Sequence, residues 1–158
     1  MEKIQINRKV TELCKIADKL AYFEDKGEYS YINKYKKAIY WIYRTNGELI
    51  LNIGTTDIEE AEVCLAVLVG YSVTIRNEKN IQKVLDRALS VLPKIPPSLL
   101  KCQLLVYCYA ELYTKELAEE AKEIMKQWKG KDLCIEQRRI KEFFENIEGR
   151  ELRYSYLS

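Results

Sequence analysis

Histidine is absent from the 158-residue sequence. That removes the commonest general base, the Ser-His and Cys-His nucleophile pairs and the commonest metal ligand. Glycine and proline are scarce, at 6 and 3 residues. No flexible linker divides the chain, and neither a Gly-x-x-x-x-Gly-Lys phosphate loop nor a Gly-x-Gly-x-x-Gly turn is present to hold a nucleotide. The five cysteines (Cys14, Cys64, Cys102, Cys108, Cys134) are odd in number and widely spaced. Cys102 and Cys108 are the nearest pair, wider apart than the two to four residues that structural zinc prefers. Such cysteines suit reduced, buried thiols in a cytosol rather than a disulfide framework. The amino terminus, Met1 to Arg8, lacks the apolar run of a secretory signal. Paired acids occur as Glu59-Glu60 and Glu119-Glu120, but adjacent helical side chains diverge by about 100° and do not converge on one substrate. The expectation is a cytoplasmic protein with no catalytic centre, no cofactor and no metal.

What is present is globular. Hydrophobic residues make up 47% and charged residues 32%, which is neither disordered nor fibrous, and the length fits one domain with a real core. Twelve tyrosines stand against three phenylalanines, so many rings can pack with the hydroxyl left at a wet edge.

Apolar residues recur at helical spacing nearly throughout. The first helix runs from about Asn7 to Glu24, striped by Val10, Leu13, Ala17 and Leu20, and Gly27 ends it. A second spans Ser30 to Arg44, with Asn46-Gly47 as a turn and Glu48 to Ile53 as connector. Thr56-Asp57-Ile58-Glu59 is a capping box, and the helix it opens is apolar almost all round from Ala61 to Val73. Residues 61–73 rise only about 20 Å against the roughly 30 Å of a bilayer core, so this is a buried rod with Gly70 admitting a close neighbour. Asn80 begins the next helix, and Pro93 ends it. Leu99 to Tyr113 forms a second helix that is apolar all round. Thr114 caps the following helix, Gly130 closes it, and a last helix from about Cys134 carries Ile140, Phe143, Phe144 and Ile147. Residues 150–158 read as a frayed tail. The predicted fold is all-α, a compact bundle of about seven helices with two central apolar ones.

Charge lies in blocks. Residues 1–46 hold 10 bases and 6 acids, residues 47–75 hold 5 acids and no base, and residues 76–101 hold 6 bases and 2 acids. Alternating patches favour a complementary protein partner; a helix-dipole bias with a solvated face is the competing account. Arg76, Lys79, Lys83 and Arg87, three and four apart, draw a basic ridge along one helix side. Tyr and Lys interleave from Tyr29 to Lys37, a mixture that can join phosphate contacts to base stacking. The chain is nonetheless close to neutral, at +2, and lacks a nucleic-acid motif.

The stretches Glu59 to Ile75, Ile81 to Arg87, Leu92 to Glu111 and Glu116 to Ala121, with Trp128, resemble the UpxZ family of transcription antiterminator antagonists. The likeness runs in order over residues 59 to 140, with residues 1–55 as variable amino-terminal helices and 56–147 as a family-like core, all within one domain, 1–158. It implies a regulator of capsular polysaccharide transcription that binds and inhibits NusG-like (UpxY) antiterminators of other capsule loci. Direct nucleic-acid or membrane binding is not expected. Candidate contact residues are Arg76, Lys83, Asp86 and Arg87 on the ridge, and Lys101, Gln103, Tyr107, Tyr109 and Glu111 on the second apolar helix. For the tyrosines core packing competes with an interface role, and for Asp86 and Arg87 an intramolecular ion pair does. The alternatives are a repeat-like interaction adaptor, or an RNA-binding protein using Arg76 to Arg87. If both apolar helices are core, Leu68→Ala or Leu104→Ala should cost about 2–5 kcal/mol in thermal or chemical unfolding; unchanged melting would reject that placement.

Overall fold

The computed structural model describes residues 2–27 and 31–157. Among them the regular elements are helices: α1 (Lys3–Asp25), α2 (Tyr31–Lys34), α3 (Lys36–Ile50), α4 (Asp57–Ser72), α5 (Glu78–Val91), a 3-10 turn (Leu92–Lys94), α6 (Leu99–Leu112), α7 (Lys115–Lys126) and α8 (Ile135–Leu157). Seven are twelve residues or longer, and α2 is a single turn of four. The expected all-α class with about seven helices is what is found.

The chain resolves into two compact units, Met1–Val91 and Leu92–Ser158, where a single domain was expected. Each unit gathers round one of the two apolar helices. In the first, α4 packs against α1, α3 and α5. It is sheathed on all sides, so Ala61, Cys64, Ala66 and Val67 are fully buried. In the second, α6 packs against α7 and α8, burying Cys102, Leu104, Leu105 and Val106. The amphipathic partners supply one apolar stripe each: Leu13, Ala17 and Leu20 from α1, Ile81, Val84 and Ala88 from α5, and Ile140, Phe144 and Ile147 from α8. Among the described residues no helix is long and apolar enough to cross a membrane.

Local chemistry sets most boundaries. The Thr56 hydroxyl accepts from the Glu59 N–H at 3.1 Å, as a capping box requires. The reciprocal bond lands one residue earlier than in the standard box, with the Glu59 carboxylate accepting from the Thr55 N–H at 3.2 Å. Asn77 caps α5 by accepting from the Asn80 N–H at 3.0 Å, so that helix begins slightly ahead of the expected start. Ser98 caps α6 by accepting from the Lys101 N–H at 3.1 Å. Thr114 holds the N-cap position of α7 without a side-chain cap bond.

Two boundaries differ from expectation. The Asn46-Gly47 pair lies inside α3, which continues to Ile50. Running the helix one turn further buries Leu49 completely, a gain that outweighs the local turn preference of Asn-Gly. Residues 150–157 are helical rather than frayed, since α8 continues to Leu157 with no proline to stop it.

Gly70 does bring a neighbour close. A Cβ built there would lie 2.4 Å from Asn46 Oδ1 and 2.6 Å from Asn46 Nδ2. Asn46 is fully buried, and neither of its side-chain polar atoms has a hydrogen-bond partner. Burying an amide unpaired costs roughly 1–3 kcal/mol, so α3 approaches α4 at a cost set against the apolar contacts around it. Gly70→Ala should destabilise the protein by about 1–3 kcal/mol through overpacking, and adding Asn46→Ala should recover most of that loss. Strictly additive effects in denaturant melts would reject the contact.

Candidate protein-binding surface

Arg87 stands in the last two turns of α5. It is the residue around which the most polar geometry converges. Its Nε donates to Glu60 Oε2 at 2.9 Å, and Nη2 donates to Glu60 Oε1 at 2.6 Å. Nη1 also donates to the Ile50 carbonyl and Nη2 to the Asn52 carbonyl, both at 2.8 Å. A planar guanidinium is suited to such forked bonding. Glu60, in the first turn of α4, completes the arrangement by accepting from the Gly54 N–H at 3.1 Å. Gly54 is required there because a Cβ would sit 2.3 Å from the Glu60 backbone nitrogen. Three pieces of chain far apart in sequence are thereby tied together: the end of α3, the loop 51–56 and the start of α4, all held from α5.

This arrangement divides the expected basic ridge. Arg87 turns inward, and its partner is Glu60 rather than the neighbouring Asp86, which accepts from Gln82 at 3.0 Å. Arg76 bonds Glu78 at 2.7 Å. Lys79, Lys83 and Asp86 stand exposed on α5. What the tether presents outward is aliphatic: Leu51 is 83% exposed, Ile53 74% and Ile58 40%. The sequence reading missed these three. Their one signal is the run Leu49-Ile50-Leu51-Asn52-Ile53, too apolar for an ordinary connector.

The candidates on α6 belong to the second unit, and two of the five, Lys101 and Tyr109, are buried in its packing. Lys101 is buried, donates to the Ile95 carbonyl at 3.2 Å and pairs with Glu120 of α7 at 2.8 Å. Tyr109 is buried against Phe144, with ring centroids 5.6 Å apart, and its hydroxyl donates to the Glu151 carboxylate. Burial, followed by the Glu151 carboxylate, pushes the Tyr109 hydroxyl well above its ordinary pKa of 10.0. Tyr107 meets Phe143 edge-on at 4.8 Å and is half-buried, as are Gln103 and Glu111.

In the Tyr/Lys segment, Tyr29 and Ser30 lie outside the described residues. Around Tyr35, Lys19 and Lys34 lie 4.8 and 5.6 Å from the ring centroid. Arg44 lies 5.9 Å from that of Tyr40. Burial pushes the thiols of Cys64 and Cys102 up to about 12, and burial with nearby Asp18 and Glu62 takes Cys14 to about 11. Such thiols stay protonated and unreactive at neutral pH; Cys134 is exposed. Among the described residues no three Cys, Asp or Glu side chains are grouped as a metal site would need.

The tether is also the main electrostatic feature of the first unit. Burial alone would raise the Glu60 pKa, but the hydrogen bonds from Arg87 and Gly54 and the guanidinium charge bring it below the ordinary 4.5. A carboxyl depressed in the folded state contributes stability that is complete above its unfolded value and is lost as pH falls through the folded one. Acidification from about pH 6 to about pH 3 should therefore lower the wild-type Tm more than that of Glu60→Gln. Arg87→Ala, which strands Glu60 and two carbonyls, should cost about 2 kcal/mol at neutral pH. Parallel Tm-against-pH curves would show that the pair carries no such energy.

The sequence matches the UpxZ family of transcription anti-terminator antagonists over residues 10–110. Comparison with solved structures finds the transcription anti-terminator antagonist UpxZ from Bacteroides uniformis ATCC 8492. The TM-score is 0.83 at 31% sequence identity, covering 92% of this chain and 94% of that one. Comparison with curated proteins finds no match. The family match begins ahead of α3 and takes in most of α1, so it reaches well before residue 59, where the ordered sequence pieces start. With more than half its length matched and a solved member sharing its fold over 92% of the chain, the chain belongs to the UpxZ family of transcription anti-terminator antagonists.

Proposed function

We propose that this protein acts in the cytoplasm by binding a NusG-like anti-terminator of the UpxY kind, encoded in another capsular polysaccharide locus, and preventing its productive contact with RNA polymerase or the nascent leader. The carrying observation is family membership together with a fold shared over 92% of the chain with a solved anti-terminator antagonist. The residues support occupancy rather than a reaction. There is no histidine, the buried thiols stay protonated, and the most organised polar cluster, Arg87 with Glu60, is spent on holding a loop. Discrimination among similar anti-terminators would then arise from charge pattern and from clashes with wrong partners. Lys83 and Asp86, exposed on α5, with Arg76 before it, are candidate polar contacts in the first unit. On α6 they are Gln103, Tyr107 and Glu111.

The test is a purified panel of anti-terminators from capsule loci, assayed by calorimetry against this protein and in transcription through their leader regions. Tight binding to non-cognate anti-terminators, with loss of read-through, is the expected result. Read-through that persists at saturating protein, with no complex formed, would reject the reading.

A further inference from the structure

Leu51 and Ile53 are the second and fourth residues beyond Leu49, one of the best-buried side chains in the first unit, yet they are 83% and 74% exposed. The loop carrying them is not loose. The Ile50 and Asn52 carbonyls, one before each aliphatic side chain, accept from Arg87 at 2.8 Å. The Gly54 N–H is held by Glu60 at 3.1 Å, and Asn52 Nδ2 donates back to the Glu48 carbonyl at 2.7 Å. Every residue from 50 to 54 is thus either bonded through its own backbone or side chain or placed between two that are. Isolated exposed aliphatics are ordinary on a protein surface. Three lie within eight residues, Leu51 and Ile53 on a backbone held by a half-buried arginine and Ile58 in the first turn of α4, so this stretch is ordered before it is covered and loses little conformational freedom on binding.

Its surroundings identify the cover. Between residues 47 and 75 the chain has five acids and no base. Glu48 is paired with Lys9 and Glu60 with Arg87, and the Glu59 carboxylate accepts from Thr55; Asp57 is exposed beside the loop and Glu62 part-exposed in the second turn of α4. A second copy of this chain docking through the same face would bring acid against acid. A partner with an apolar cleft rimmed by lysine or arginine would meet both features, burying the aliphatics and pairing the acids.

We propose that the loop 51–56, with Ile58, is the surface that docks into a basic-rimmed apolar cleft of the anti-terminator, and that Arg87 and Glu60 position it. The inference rests on the anti-terminator reading above and names its contact site. Arg87 acts through the loop backbone and does not itself face the partner. Arg87→Lys, which keeps the charge but cannot bond Glu60 and both carbonyls at once, should weaken binding by loosening the loop while leaving the exposed side chains themselves unchanged.

The experiment compares the full-length wild type, L51D/I53D, Asp57→Asn and Arg87→Lys by calorimetry against an anti-terminator that the wild type binds, with circular dichroism and sedimentation of each variant. L51D/I53D replaces only exposed side chains and should keep wild-type helicity while losing at least a hundredfold in affinity. Asp57→Asn should reduce the dependence of affinity on salt, and Arg87→Lys should lose about tenfold or more. Wild-type affinity in L51D/I53D would overturn the docking site and leave the anti-terminator reading standing. A wild type that binds no anti-terminator would overturn both. Self-association that disappears in L51D/I53D, with anti-terminator binding intact, would assign the loop to a contact between copies and overturn the proposal.

Discussion

A helix that is apolar on every side cannot rest against a single neighbour, and this constraint organises both units. Ala61 to Tyr71 of α4 and Cys102 to Tyr109 of α6 leave almost no face for water. Each must be enclosed by amphipathic helices that offer one stripe inward and charge outward. The sheath of α4 is α1, α3 and α5, and that of α6 is α7 and α8. Burial at about 25 cal/mol per Å² of apolar surface makes enclosure worth more than any single polar contact. It also explains why α3 runs through an Asn-Gly pair that would otherwise turn the chain: Leu49 reaches full burial only if the helix continues.

Enclosure leaves polar groups at the seams, and their fates decide what the surface can do. Arg87 and Lys101 are basic residues that a helical wheel would place outside, yet both are drawn in to satisfy carbonyls and a carboxylate. Tyr109 is buried with its hydroxyl given to Glu151. Asn46 is the exception: its side-chain amide is buried with no hydrogen-bond partner where α3 approaches Gly70 of α4. Polar residues that make many internal bonds are poor choices for partner contact, because breaking those bonds to bind would cost about what binding gains. The outward chemistry of the first unit therefore lies in the residues that its anchors hold in place rather than in the anchors.

That distinction bears on the proposed function, in which the antagonist holds one member of a set of similar proteins. The proposed docking loop, with acids beside it, would offer two separable levers, apolar fit for affinity and charge for discrimination and approach. Solved structure and sequence agree on the frame that carries it, with the family match running from residue 10 to residue 110 and the fold shared beyond that span.

Local pattern alone established the helical class, the two apolar rods, the cap at Thr56 and the break at Pro93, because each rests on residues within one or two turns of each other. Absent histidine, scattered cysteines and missing phosphate loops likewise directed attention to binding rather than chemistry. Tertiary structure decided the rest. Arg87 and Glu60 are 27 residues apart, and Arg87 and Ile50 are 37 apart, separations at which a charge pattern cannot say which acid meets which base. The same helical spacing that draws Arg76, Lys83 and Arg87 as one ridge is silent on which side chain bends inward. Only the packing of α5 along α4 settles that Arg87 is a tether and that Leu51 and Ile53 are left to the solvent.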